Sequence, residues 1–175
     1  PRDEYPRSIH PRSNQAELIV IDVNEVALDA SAYQALLARE LTRLIVWHQD
    51  RNEAAWVREG LVDLGAALAG ADTDGIEGAY VQQPDQPLAH WSNADPQRGA
   101  SFLLMAYLRQ RLGNGAIQTL TAEPANGVQG ITEALEALDS DLTFDELFTD
   151  WLGAIYLATE GIQDEITEGY GDLTL

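Results

Sequence analysis

Residues 39–43 read Arg-Glu-Leu-Thr-Arg and set one carboxylate between two guanidinium groups at helical spacing. On a wheel of about 100° per residue, Glu40 shares its arc with the apolar Tyr33, Leu36, Leu37, Leu41 and Leu44. Arg39 and Arg43 fall at the edge of that arc. A carboxylate buried without a partner is costly or takes up a proton, so Glu40 needs a chemical reason to be there. Arg39 and Arg43 are also an i,i+4 like-charge pair, unfavourable by roughly 0.2–0.5 kcal/mol. Both oddities resolve if an anion from another element lies beside this helix. Glu59, within the later run "WVREGL", is the obvious donor, and Asp63 follows it by one turn on the same face. The plainer alternative is that these are ordinary surface arginines.

Several elements must position these groups. Residues 1–16 are polar and hold three prolines, which forbid a helix. The run "ELIVIDV" (17–23) is rich in β-branched residues and reads as a short strand, which needs a partner: residues 5–9, another chain, or a segment upstream. Beyond it the pattern is helical. Ser31 with Gln34 suggests a capping box opening a helix over 32–48, and Asn52 a cap for a second over 53–69 that ends at Gly70. Asp95-Pro96 opens a third over 96–112, because proline suits the first helical turn; Gly113 closes it. Shorter helices are expected over 114–121 and, from Asn126, over 127–138. Thr143 with Glu146 repeats the capping box for 144–158. Residues between the second and third helices read as one long loop. The expectation is a mainly α single domain over 1–175, of about six helices with a short N-terminal strand.

Bulk composition narrows the function classes. The chain has 175 residues, 45% of them hydrophobic, with 10 basic and 29 acidic residues for a net charge of −19. So much negative charge argues against nucleic acid and anionic membrane surfaces as partners. No run is long and apolar enough for a transmembrane helix, and nothing resembles a signal peptide. Without cysteine there is no disulfide, thiol nucleophile or thiolate metal site. The start at Pro1 is read as a fragment of a longer chain. No Ser-His-Asp arrangement, phosphate loop or dinucleotide fingerprint is present.

The stretch "LLARELTRLIVWHQDRNEAAWVREGL" (36–61) resembles the active-site segment of gluzincin-type zinc metallopeptidases, with H-E-x-x-H on one helix and W-x-x-E-G-L on the next. The runs "PRSIHPRSNQAELIVIDV", "LAHWSNADPQRGASFLLMAYLRQRLG", "TFDELFTDWLGAIYLA" and "GYGDLTL" resemble other parts of the same family, so most of the chain is covered. The resemblance implies a helical zincin-like fold. It implies a zinc held by two histidines and a glutamate, with a second glutamate as general base and an extracellular or cell-surface location. Glu40 then stands at the base position and Glu59 at the third ligand. Arg39 and Arg43 stand where both histidines belong, Arg58 where asparagine is usual, and Arg98 where tyrosine is expected. Guanidinium stays protonated and has no lone pair for a metal. Zinc is therefore not expected, and Glu40 is expected to be idle.

In place of the metal, Arg43, with Arg39 as the second candidate, is expected to bridge to Glu59 or Glu40. Asp63, a position that supports a ligand histidine in the family, can pair with either arginine. The implied function is a metallopeptidase-like domain without catalysis, whether pseudoenzyme or inactivated variant. A groove above Glu40 beside the strand at 17–23 would bind peptide or protein by strand addition. The alternatives are an active zinc-dependent hydrolase and a structural subunit that oligomerises through the strand. His48 reads as a helix-end residue, and His10 and His90 carry no ligand spacing. Asp72, Asp74 and Glu77 resemble a calcium loop whose ladder stops too early. Tyr107, Trp151 and Tyr156 read as core, and Trp47 and Trp56 as anchors bracketing the interhelical turn.

Overall fold

The computed structural model describes residues 18–22, 24, 31–73 and 75–159. Their helices are α1 (Ser31–Gln49), α2 (Ala55–Leu68), α3 (Ile76–Gln82), α4 (Asp95–Leu112), α5 (Asn114–Ala122), α6 (Val128–Ala137) and α7 (Phe144–Thr159). The chain is mainly helical. Helix α4 is the centre, because its sequence allows burial on every side: Gln97 and all of Gly99–Leu108 are buried. Helices α2 and α3 make the most extensive contacts with it, while α5 and α7 also pack on it. Helix α1 lies outside this layer, against α2 and α5. Its only fully buried residue is Val46.

That outer position corrects the reading of the Glu40 arc. Leu37, Leu41 and Ile45 of α1 are exposed, and the Glu40 side chain is 35% exposed. The apolar stripe of α1 is broader than the surface of α2 available to cover it. Glu40 sits at the edge of that contact and is not in the core.

Three other expectations change. The expected long loop contains α3, a two-turn helix whose local signal is weakened by its internal Gly78. It is held by tertiary packing: Ile76 and Tyr80 are buried, and Tyr80 stacks on Trp151 at 5.7 Å. Asn52 does not cap α2; the cap position is Ala54, and the Asn52 N–H donates to Asp50 Oδ1 at 2.9 Å in the turn. Asn126 lies one residue before the cap of α6, Gly127, whose φ of 63° suits glycine. The Thr143–Glu146 capping box is formed reciprocally, with Thr143 N–H donating to Glu146 Oε2 at 2.9 Å and Glu146 N–H to Thr143 Oγ1 at 3.3 Å.

No strand forms among the described residues. Of the run expected as a strand, residues 18–22 are described outside any ladder, with Leu18 and Val20 exposed. The segment proposed to pair with it, residues 5–9, lies outside the described residues.

Candidate functional site

The site forms on α2, where α1 packs against one side of it and the start of α4 reaches the same stretch. Two glycines of α2 let the three helices close. A Cβ at Gly65 would collide with the Thr42 side chain of α1, and one at Gly60 would meet Ser101 O of α4 at 2.7 Å. Glu59 and Asp63, one turn apart on α2, are thereby brought beside Arg39 and Arg43 of α1 and Arg98 of α4.

The side chains settle into two tiers of ion pairs. In the inner tier, Asp63 is 2% exposed and accepts from Arg98 Nη2 at 2.7 Å and Arg98 Nε at 3.2 Å, a forked pair. Arg39 Nε adds a third hydrogen bond to Asp63 Oδ1 at 3.3 Å, while its Nη2 donates to Asp72 O at 3.2 Å. In the outer tier, Arg43 donates through Nη2 to Glu59 Oε2 at 2.8 Å and through Nη1 to Glu40 Oε1. Arg58 Nε reaches the other oxygen of Glu59 at 3.2 Å. The five residues singled out from sequence, Arg39, Glu40, Arg43, Glu59 and Asp63, thus share one cluster with Arg58 and Arg98.

Electrostatics follow from the partners. Burial alone would raise the Glu59 pKa, but hydrogen bonds and charge from Arg43, then Arg58, hold it below the usual glutamate value. Burial works against the charge on Arg43, yet Glu59 and Glu40 more than offset this, so its pKa rises. Arg98 is raised in the same way, by Asp63 first and then by Asp95 and Glu59.

A zinc ion does not fit this donor set. Arg39 and Arg43 offer no lone pair, and both oxygens of Glu59 already accept from arginines. Among the described residues no group of three or more His, Asp or Glu side chains is placed to hold a metal.

The other candidates scatter. His48 is exposed in the last turn of α1 and His90 in the segment before α4; His10 lies outside the described residues. Asp74 does too, and Glu77 accepts from Thr73 Oγ1 at 2.5 Å. Trp56, Tyr107 and Trp151 are core, whereas Tyr156 is 63% exposed, because it lies on the face of α7 turned from α4. Trp47 lies 4.5 Å beneath the Arg51 guanidinium.

Two members of the cluster were seen in the sequence only as departures from a family pattern. Arg58 and Arg98 had no assigned partner, and Arg98 is 35 positions from Asp63. A signal was present, since Asp63 stood without an exclusive partner in a chain with only ten basic residues. Glu53, buried at the start of α2, was missed altogether; its carboxylate accepts from Ala54 N–H and, at 2.9 Å, from Gly127 N–H. Set against protein-family models, curated proteins and solved structures, the chain matches none.

Proposed function

We propose that this chain is a gluzincin-like metallopeptidase domain that has exchanged its zinc site for ion pairs, and that it binds peptide without cleaving it. The observation that carries the reading is Arg43. It spans Glu40 and Glu59, the base and third-ligand positions of the motif that the sequence resembles, and links α1 to α2 as a metal would. Two guanidinium groups, Arg39 and Arg43, bring two positive charges to the place where the family pattern puts a divalent ion. In this reading an extended peptide lies over the exposed side of Glu40 and Arg43. Glu40 then serves as a partner of Arg43 in place of a general base.

Arg39→His combined with Arg43→His tests this. The purified parent protein should carry less than stoichiometric zinc and hydrolyse no peptide, and the double variant should take up stoichiometric zinc by elemental analysis. Full zinc occupancy with hydrolysis in the parent, or a folded double variant that takes up none, would overturn the reading. Peptide titration followed by calorimetry tests the binding half separately, and silence across a varied peptide panel would remove it.

A further inference from the structure

We infer that the outer tier of this cluster is a receptor for a single carboxylate, the C-terminal carboxylate of a bound peptide, with Arg58 as the primary contact and Arg43 as the second. This rests on the reading of the site as a peptide-binding remnant and names what that site recognises.

Three observations carry it. The first is the geometry of Arg58. Its Nε is committed to Glu59 Oε1 at 3.2 Å, and among the described residues its two Nη groups meet no acceptor. Those paired Nη groups form an edge that takes a carboxylate through two parallel hydrogen bonds. The side chain is 36% exposed.

The second is the partner of Arg43. Arg43 sits across the same Glu59 carboxylate, 37% exposed, with Glu40 on its outer side. Glu40 is itself 35% exposed and belongs to the one helix with a single buried residue. A ligand carboxylate can take the place of Glu40 on Arg43 while Glu40 turns to water. Glu59 is only 13% exposed and stays as the fixed spacer between the two guanidinium groups.

The third is charge. Arg39, Arg43, Arg58 and Arg98 stand against Glu40, Glu59 and Asp63, with Asp95 at the margin, 3.9 Å from Arg98 and 71% exposed. The cluster is thus close to neutral or slightly positive in a chain carrying −19. A polyanion would be repelled by the rest of the surface, whereas one negative charge presented locally is matched here. That favours a monoanion on an otherwise uncharged chain end.

The test uses three probes on the intact chain: acetate, acetyl-tetraalanine with a free C-terminal carboxylate, and its C-terminal amide. Binding is read from the Nε–H resonances of Arg58 and Arg43 by NMR titration. The free acid should shift both saturably and bind at least about tenfold more tightly than the amide, as expected when one charge-assisted pair is lost. Arg58→Gln should weaken the acid by about tenfold or more, with Arg58→Lys intermediate because it keeps charge without the fork. Arg111→Gln, remote from the cluster, should change nothing. Thermal unfolding of each variant establishes that it is folded.

Equal binding of acid and amide would overturn the carboxylate assignment and leave peptide binding standing. Acetate matching the acid, with the amide silent, would uphold the carboxylate receptor and remove the peptide reading. Absence of any saturable shift with acetate or the acid would overturn the inference itself.

Discussion

Asp63 within α2 and Glu53 just ahead of it are both buried carboxylates, and the two are held by opposite means. Asp63, 2% exposed, receives three hydrogen bonds from the guanidinium groups of Arg98 and Arg39. Glu53, 5% exposed and one residue ahead of the helix cap, receives only the backbone N–H groups of Ala54 and Gly127. Its charged neighbour is another acid, Asp50, whose buried Oδ2 has no hydrogen-bond partner among the described residues. Burial raises the Glu53 pKa and Asp50 raises it further, against the opposing pull of the two N–H groups and the more distant Arg58. Equal burial therefore says nothing about whether a carboxylate stabilises the fold. The full positive charge supplied to Asp63 makes it a clamp between three helices, while the partial charges supplied to Glu53 leave it under strain from its own ionisation.

The sharpest break of this comparison is Asp63→Ala. It removes the shared carboxylate of Arg39 and Arg98, whose side chains are only 14% and 21% exposed, and leaves Arg39 the Asp72 carbonyl and Arg98 the exposed Asp95. A loss of about 3–5 kcal/mol is expected in urea unfolding at neutral pH, the range for one-sided removal from a buried ion pair. A loss below about 1 kcal/mol would mean that the arginines escape to water and that the inner tier is a surface feature.

Glu59→Gln comes next and separates the two tiers. Its partners Arg43 and Arg58 are more than a third exposed and can rehydrate, so about 1–2 kcal/mol is expected at pH 7. The pH dependence follows from the direction of the shift. The folded pKa lies below the unfolded one, so the stabilisation is full above the unfolded glutamate value, about 4.3. It disappears as pH falls through the folded value. Parent and variant should therefore converge in stability in acid, and a difference unchanged down to about pH 3 would contradict the pairing.

How much of this was legible in the sequence depends on how local the cause was. The capping box of α7, the proline start of α4 and the closing Gly113 are set by neighbouring residues and could be read directly. Helix α3 could not, because Ile76 and Tyr80 become helical by packing on α4 and Trp151, far away in the chain. The pairing of Glu59 with Arg43 was legible through helical spacing together with charge arithmetic. Arg98 was not, since only the approach of α4 to Gly60 brings it to Asp63. Glu40 was misplaced because a helical wheel shows which residues share a face but not whether a neighbour is large enough to cover it. Glu53 escaped notice because nothing in Asn52-Glu53-Ala54 announces that Gly127 will donate to it from the start of α6.

Glu53→Gln is the smallest expected effect and the one with the opposite sign. The folded pKa of Glu53 lies above the unfolded one, so its contribution is most favourable below about pH 4.3 and is lost as pH rises through the folded value. At neutral pH the ionised side chain is a net liability. Glutamine keeps an oxygen to accept from Ala54 and Gly127, removes the repulsion with Asp50, and supplies amide protons in the neighbourhood of the unpartnered Asp50 Oδ2. A gain on the order of 0.5–1 kcal/mol at pH 7, shrinking to nothing in acid, is expected from thermal unfolding across that range. If glutamine instead destabilises at pH 7 by more than about 1 kcal/mol, the charge on Glu53 is an asset. The contrast between Asp63 and Glu53 would then reduce to one of partner type without a change of sign.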